Sequence, residues 1–87
     1  MRSDANFFTC YPNPASAFTT FFFQLNEGEA ASAKIVITNV EGKTLDEINL
    51  SSQQRHITYQ NHLAAGLYFC RLQTNGNTTK LIKLLVD

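Results

Sequence analysis

The chain has 87 residues, with seven basic and seven acidic side chains for a net charge of zero, and 44% of it is hydrophobic. That length holds one domain and excludes two, and that hydrophobic content excludes a disordered tail. The charge balance excludes a general polyanion binder, since phosphate contacts draw on a surplus of Lys and Arg, and no apolar run reaches the about 20 residues of a membrane helix.

Residues 1–6 lack an apolar h-region and read as a linker or an excision remnant, with the domain running over 7–87. A first strand is predicted at 7–11, stopped by Pro12-Asn13-Pro14 because proline donates no ladder N–H. A second, at 19–25, sets Phe21, Phe23 and Leu25 on one face and Phe22 and Gln24 on the other. Asn26-Glu27-Gly28-Glu29 reads as a loop. A third strand, 33–38, points Ala33, Ile35 and Ile37 inward and Lys34 and Thr38 outward. The turn Asn39-Val40-Glu41-Gly42, with Gly42 suited to positive φ, joins it as a hairpin to a fourth strand at 43–50. A polar stretch at 51–54 precedes a fifth strand at 56–59, and a corner at 60–66 follows. A sixth strand at 67–74 and a seventh at 78–86 flank Asn75-Gly76, a type I′ hairpin signal.

Period-two alternation and β-branched and aromatic residues prevail, and no helix is evident. The expected fold class is all-β: an immunoglobulin-like β-sandwich of about seven antiparallel strands, its inner faces about 10 Å apart. Each buried Phe, Leu or Ile contributes roughly 1.5–3 kcal/mol, and seven Phe residues help so small a domain reach net stability. Tyr68, two residues before Cys70, imitates a tyrosine corner, whose hydroxyl bonds back to nearby backbone. With no Trp in the chain and Cys10 in the first strand, the architecture is shared with immunoglobulins and the family proper is not.

No constellation for catalysis emerges. Asp46 and Glu47 are neighbours in a strand, point to opposite faces and cannot cooperate as a carboxylate pair. His56 and His62 lie across a corner with no acidic cluster near them in sequence, which argues against a metal site. No G-x-S-x-G elbow occurs. Cys10 and Cys70 match no metal or redox spacing. They are expected as buried free thiols, with a disulfide as the open alternative in an oxidising compartment. Lys80 and Lys83 fall on opposite faces of the last strand: solvated charges, one of them suited to protecting an edge. The expectation is therefore no enzyme, no cofactor and no metal.

Four segments in order point to a family: Tyr11-Pro12-Asn13-Pro14-Ala15-Ser16, then Ile37-Thr38-Asn39-Val40-Glu41-Gly42-Lys43, then Leu63-Ala64-Ala65-Gly66-Leu67-Tyr68-Phe69-Cys70-Arg71-Leu72, then Thr79-Lys80-Leu81-Ile82-Lys83. Together they resemble the type A C-terminal sorting domain of the type IX (Por) secretion system of Bacteroidetes, over residues 8–86. Thr38-Asn39 stand where that family often has an Asp after an aromatic, and the two cysteines fill usually aliphatic positions. The resemblance implies a secretion signal joined covalently to a larger N-terminal cargo. The cargo reaches the periplasm, and the folded domain is recognised by the outer-membrane translocon. A sortase-like peptidase then processes it, leaving the cargo secreted or on the cell surface. It implies no nucleic-acid partner and no membrane insertion, and a monomer is expected. The sorting motif comprises Tyr11, Pro12, Asn13, Pro14, Ala15, Ser16, Gly42, Gly66, Tyr68, Lys80 and Lys83. Pro12-Asn13-Pro14 also reads as a rigid architectural corner. The rival expectation is a fibronectin-like or carbohydrate-binding accessory module, with Phe22, Tyr59 and Phe69 as exposed aromatics on polar faces.

Overall fold

The computed structural model describes residues 7–25, 33–50, 55–74 and 77–87. Within them run β1 (Phe7–Tyr11), β2 (Phe18–Gln24), β3 (Lys34–Thr38), β4 (Thr44–Asn49), β5 (His56–Gln60), β6 (Gly66–Thr74) and β7 (Asn77–Val86). All strand pairs are antiparallel. They form a three-stranded sheet in the order β1-β2-β5 and a four-stranded sheet in the order β4-β3-β6-β7. The expected β-sandwich is thus present, with every predicted strand within a residue or two of its predicted ends.

The sheet assignment of β4 refines the immunoglobulin comparison. In a constant-type domain the fourth strand pairs with the fifth, in the other sheet; here β4 pairs with β3. The tight turn decides this. Asn39 N–H donates to the Lys43 carbonyl and Gly42 N–H to the Asn39 carbonyl, both at 3.0 Å. The Asn39 Oδ1 accepts from Glu41 N–H and Lys43 N–H, both at 2.9 Å. Gly42 closes the turn at φ +91°, a conformation in which a side chain is strained. So short a turn returns the chain beside β3, and a register shift between Ile37 and Thr38 bends the pair.

The core lies between the sheets. Phe8 and Cys10 from β1, Phe21 and Phe23 from β2, and Tyr59 from β5 face Ile35 and Ile37 from β3, Tyr68, Cys70 and Leu72 from β6, and Leu84 and Val86 from β7. Phe8 and Phe21 stack at 5.7 Å between ring centroids. Phe21 also packs tilted against Tyr59 at 6.2 Å, in the range where aromatic pairs add to plain burial. Phe22 and Gln24 face outward as their parity requires.

Two expectations about exposure are corrected. Thr38 lies on the outer face but is only 4% exposed. The long Arg71 side chain reaches it from the next strand but one row away, its guanidinium donating to Thr38 Oγ1 at 2.7 Å. Tyr59, expected as an exposed aromatic, is 7% exposed and belongs to the core. Phe69, named with it, is half-buried. The loop at 26–29, the polar stretch at 51–54 and the Asn75-Gly76 turn lie outside the described residues, although Thr74 and Asn77 pair on either side of that turn.

Cys10 and Cys70 are both buried free thiols. Burial raises the Cys70 thiol pKa to about 12, with Cys10 across the core adding to the shift. Burial raises Cys10 as well, while hydrogen bonds from Thr19 and Asn13 partly offset it. A raised folded-state value means that the contribution of Cys70 to stability is complete below its unfolded value near 9.0 and is lost as the pH climbs toward about 12. At neutral pH both thiols are expected to resist an aromatic disulfide reagent in the native protein and to react promptly in denaturant. Prompt native labelling contradicts the packing, and an unfolding midpoint flat from pH 9 to 11 contradicts the titration.

Candidate recognition surface

The strand registers gather most of the motif at one end of the sandwich. Beyond β1 the chain reverses through two cis peptide bonds, Tyr11-Pro12 and Asn13-Pro14, and then lies along the free edge of β7. The Asn13 amide copies a peptide group there: its Nδ2 donates to the Lys83 carbonyl at 2.8 Å, and its Oδ1 accepts from Leu85 N–H at 3.0 Å. Two residues on, the Ala15 N–H donates to the Leu85 carbonyl at 2.8 Å, and the Asp87 N–H to the Ala15 carbonyl at 2.9 Å. The result is an isolated parallel bridge between Ala15 and Val86. On its other side Val86 pairs with Gly66. Ala15, Val86 and Gly66 therefore make one row, and three segments far apart in sequence meet there.

Each of these segments is held by further contacts. The Thr19 hydroxyl, fully buried, donates to the Pro12 carbonyl at 2.8 Å. Ala15 is itself fully buried, so its methyl leaves no room for a larger side chain without displacing neighbours. Gly66 adopts φ +151°, a conformation that side chains rarely enter. Two residues later the Tyr68 hydroxyl donates to the Ala64 carbonyl at 2.5 Å, which is the tyrosine-corner geometry expected from the sequence.

Asn61 is a residue that the sequence reading missed. Its Nδ2 donates to the Ser16 carbonyl at 2.6 Å and its N–H to the Ala17 carbonyl at 2.9 Å, while its Oδ1 accepts from Leu63 N–H at 2.9 Å. It ties the opening hexapeptide to the corner between β5 and β6. The signal was an Asn two residues before a hydrophobic, the pattern of an Asx turn, hidden inside a segment taken only as a corner.

The structure also shows which motif residues stay apart. Gly42 lies at the same pole, since β3 runs toward it, but in a separate turn. Lys83 lends its carbonyl to Asn13 and leaves its ammonium exposed on the outer face. Lys80 pairs with Leu72, well toward the opposite pole, and is exposed. Tyr11 is the exposed end of β1. Phe7, where the described chain begins, pairs with Gln24 at the pole opposite the motif.

Across the open side of the sandwich a second polar cluster joins the sheets. The Tyr59 hydroxyl donates to Asp46 Oδ2 at 2.9 Å, and His62 Nε2 lies 3.7 Å from the same oxygen. The fold thus supplies an acidic partner for His62 that sequence distance concealed. Asp46 and Glu47 do point apart: Glu47 pairs instead with Lys34 at 3.1 Å on the outer face. Burial, and then the bond to Asp46, hold the Tyr59 hydroxyl well above the ordinary tyrosine range. The phenol stays protonated, so the cluster is a latch between β4 and β5 with no nucleophile in it. Among the described residues no group of three or more His, Cys, Asp or Glu side chains converges as a metal site.

The fold is in class a small all-β sandwich in which the opening hexapeptide and the Gly66 corner meet on either side of Val86. The family model of the secretion system C-terminal sorting domain matches residues 9–87. The chain belongs to that family: it is the secretion signal of a type IX cargo, a non-catalytic signal domain. No curated protein and no solved structure matches it.

Proposed function

We propose that the pole built by Tyr11, Pro12, Asn13, Pro14, Ala15, Ser16, Gly42, Gly66 and Tyr68, with the end of β7, is the surface that the type IX outer-membrane translocon recognises. The observation that carries this reading is the convergence of the hexapeptide and the Gly66 corner on either side of Val86. Both are hydrogen-bonded to β7, which lies between them, so what a partner meets is the assembled shape. Lys83 borders this surface, and Lys80, near the other pole, acts as a solvated edge charge. A cargo preceding Phe7 extends from the pole opposite the motif, which leaves the recognition end unobstructed. The domain crosses the periplasm folded and as a monomer, and a sortase-like peptidase then acts on the chain between cargo and domain. The cargo is secreted or held at the cell surface.

The test is a periplasm-directed reporter fused ahead of residues 1–87 in a type IX-competent host. The reporter is expected in the medium or on the cell surface. Retention in the periplasm at the level of the unfused reporter refutes the reading.

A further inference from the structure

Apart from Tyr11, which ends β1 at the sorting pole, the outer face of the three-stranded sheet is used neither by the core nor by that pole. Its exposed aromatics are Phe7 (47% exposed), Tyr11 (74%), Phe18 (44%) and Phe22 (38%). The register orders them. Phe7 pairs with Gln24, Tyr11 with Thr20, and Phe22 with Thr9. Each aromatic is therefore the diagonal neighbour of the next, in the sequence Phe7, Phe22, Tyr11, Phe18. Diagonal neighbours on a sheet lie about 7–8 Å apart, so the four rings form a zigzag track along β1 and β2 from pole to pole.

The side chains between and beside the rings decide what the track suits. Thr9, Thr20 and Gln24 fill the gaps, and β5 adds His56, Thr58 and Gln60 along one flank. None of these positions is aliphatic, and none is Asp, Glu, Lys or Arg. The other sheet's outer face is the opposite in kind, with Leu67, Leu81 and Leu85 beside Arg71 and Lys83. With no Lys or Arg at its described positions, the face is unsuited to a nucleic acid, whatever its rings could stack on. Aromatic rings are enriched in protein interfaces too, but there they cluster in fully desolvated pockets, whereas here hydroxyls and neutral amides separate them. Rings separated by hydroxyls and neutral amides match a ligand with apolar C–H faces and many uncharged hydroxyls. His56 lies against Phe22 at 6.0 Å, and Thr20 and Thr58 share a 3.1 Å hydroxyl bond, so this polar lining is ordered.

We propose that this face is a binding track for a neutral polysaccharide, with Phe22 and Tyr11 at its centre. It shares only Tyr11 with the sorting pole: Phe22 contributes nothing to that pole, and the track runs the length of the sheet.

The experiment is electrophoresis of the whole chain through native gels containing dextran, mixed-linkage β-glucan, galactomannan or, as the charged comparison, alginate. At least one neutral polysaccharide is expected to retard the chain. Phe22→Ala is expected to weaken that retardation about tenfold, the worth of one stacked ring, with the unfolding midpoint and reporter export unchanged. Phe18→Ala, also exposed, serves as a second variant should Phe22→Ala fold poorly. The proposal is overturned if no neutral polysaccharide retards the chain, if alginate alone does, or if both variants run like the parent. It is equally overturned if sedimentation shows self-association that Phe22→Ala abolishes without polysaccharide present, because the track is then an interface between copies.

Discussion

Deletion of residues 77–87 is expected to abolish folding and export together. β7 supplies fully or nearly buried Leu84 and Val86 and half-buried Ile82 to the core, and it pairs with β6 from Gly66 to Thr74. Truncating a single buried Leu to Ala costs about 2–5 kcal/mol, while a whole domain has only about 5–15 kcal/mol to lose. Removing β7 deletes several such side chains and a complete ladder. It also strips Asn13 and Ala15 of the backbone groups they bond, so the hexapeptide loses its seat. Circular dichroism and urea titration of the truncated chain should show no cooperative transition, and its reporter should remain in the periplasm. A truncated chain that still unfolds cooperatively means that β7 is dispensable to the sandwich. Lys83→Ala separates fold from charge: the ammonium is exposed and the carbonyl used by Asn13 survives, so stability should stay within about 0.5 kcal/mol of the parent. Any loss of export in that variant belongs to the side chain.

Most of this fold was legible in the sequence because strand parity is a strict signal. Alternation in the run of Phe21, Phe22 and Phe23 assigned two rings to the core and one to solvent, and the structure agrees. The turn at Asn39 was legible because its Asn and Gly each perform a local task. What failed was whatever depended on the partner sheet. Tyr59 reads as a half-polar strand residue, and only the approach of Asp46 from β4 gives its hydroxyl a place in the interior. Thr38 reads as outward and exposed, and the reach of Arg71 from β6 helps to cover it. The sorting motif was legible as a set of residues, through resemblance to a family, but not as an object. Nothing in Pro12-Asn13-Pro14 announces that its Asn completes the edge of a strand some seventy residues later. Asn61 was missed for the same reason: its bonds to Ser16 and Ala17 are long-range, and sequence periodicity carries no long-range information.

The substitution Asn13→Asp tests whether the motif acts as architecture or as a contact. An Asp is nearly isosteric and keeps the acceptor for Leu85 N–H. It has no donor for the Lys83 carbonyl, so a carboxylate oxygen is set against a carbonyl oxygen where a 2.8 Å hydrogen bond stood. A lost hydrogen bond costs about 1 kcal/mol, and because this one is exposed, water re-pairs the carbonyl; in a domain of this size each kcal/mol lowers the unfolding midpoint by about 4–8 °C. Asn13→Ala loses both bonds and is expected to fall at least as far. Because the signal on this reading is the assembled pole, export should fall in step with the folded fraction and recover when cells grow cool enough to keep the variant folded. A parallel variant, Ser16→Ala, changes an exposed side chain of the same hexapeptide, leaves both Asn13 bonds and the Ser16 carbonyl in place, and calibrates what an exposed change in the motif does by itself. If Asn13→Asp is fully folded by circular dichroism at the growth temperature and its reporter still stays in the periplasm, then the Asn13 amide is itself read by the translocon. The recognised surface in that case is the β7 edge, and the rest of the pole serves to present it.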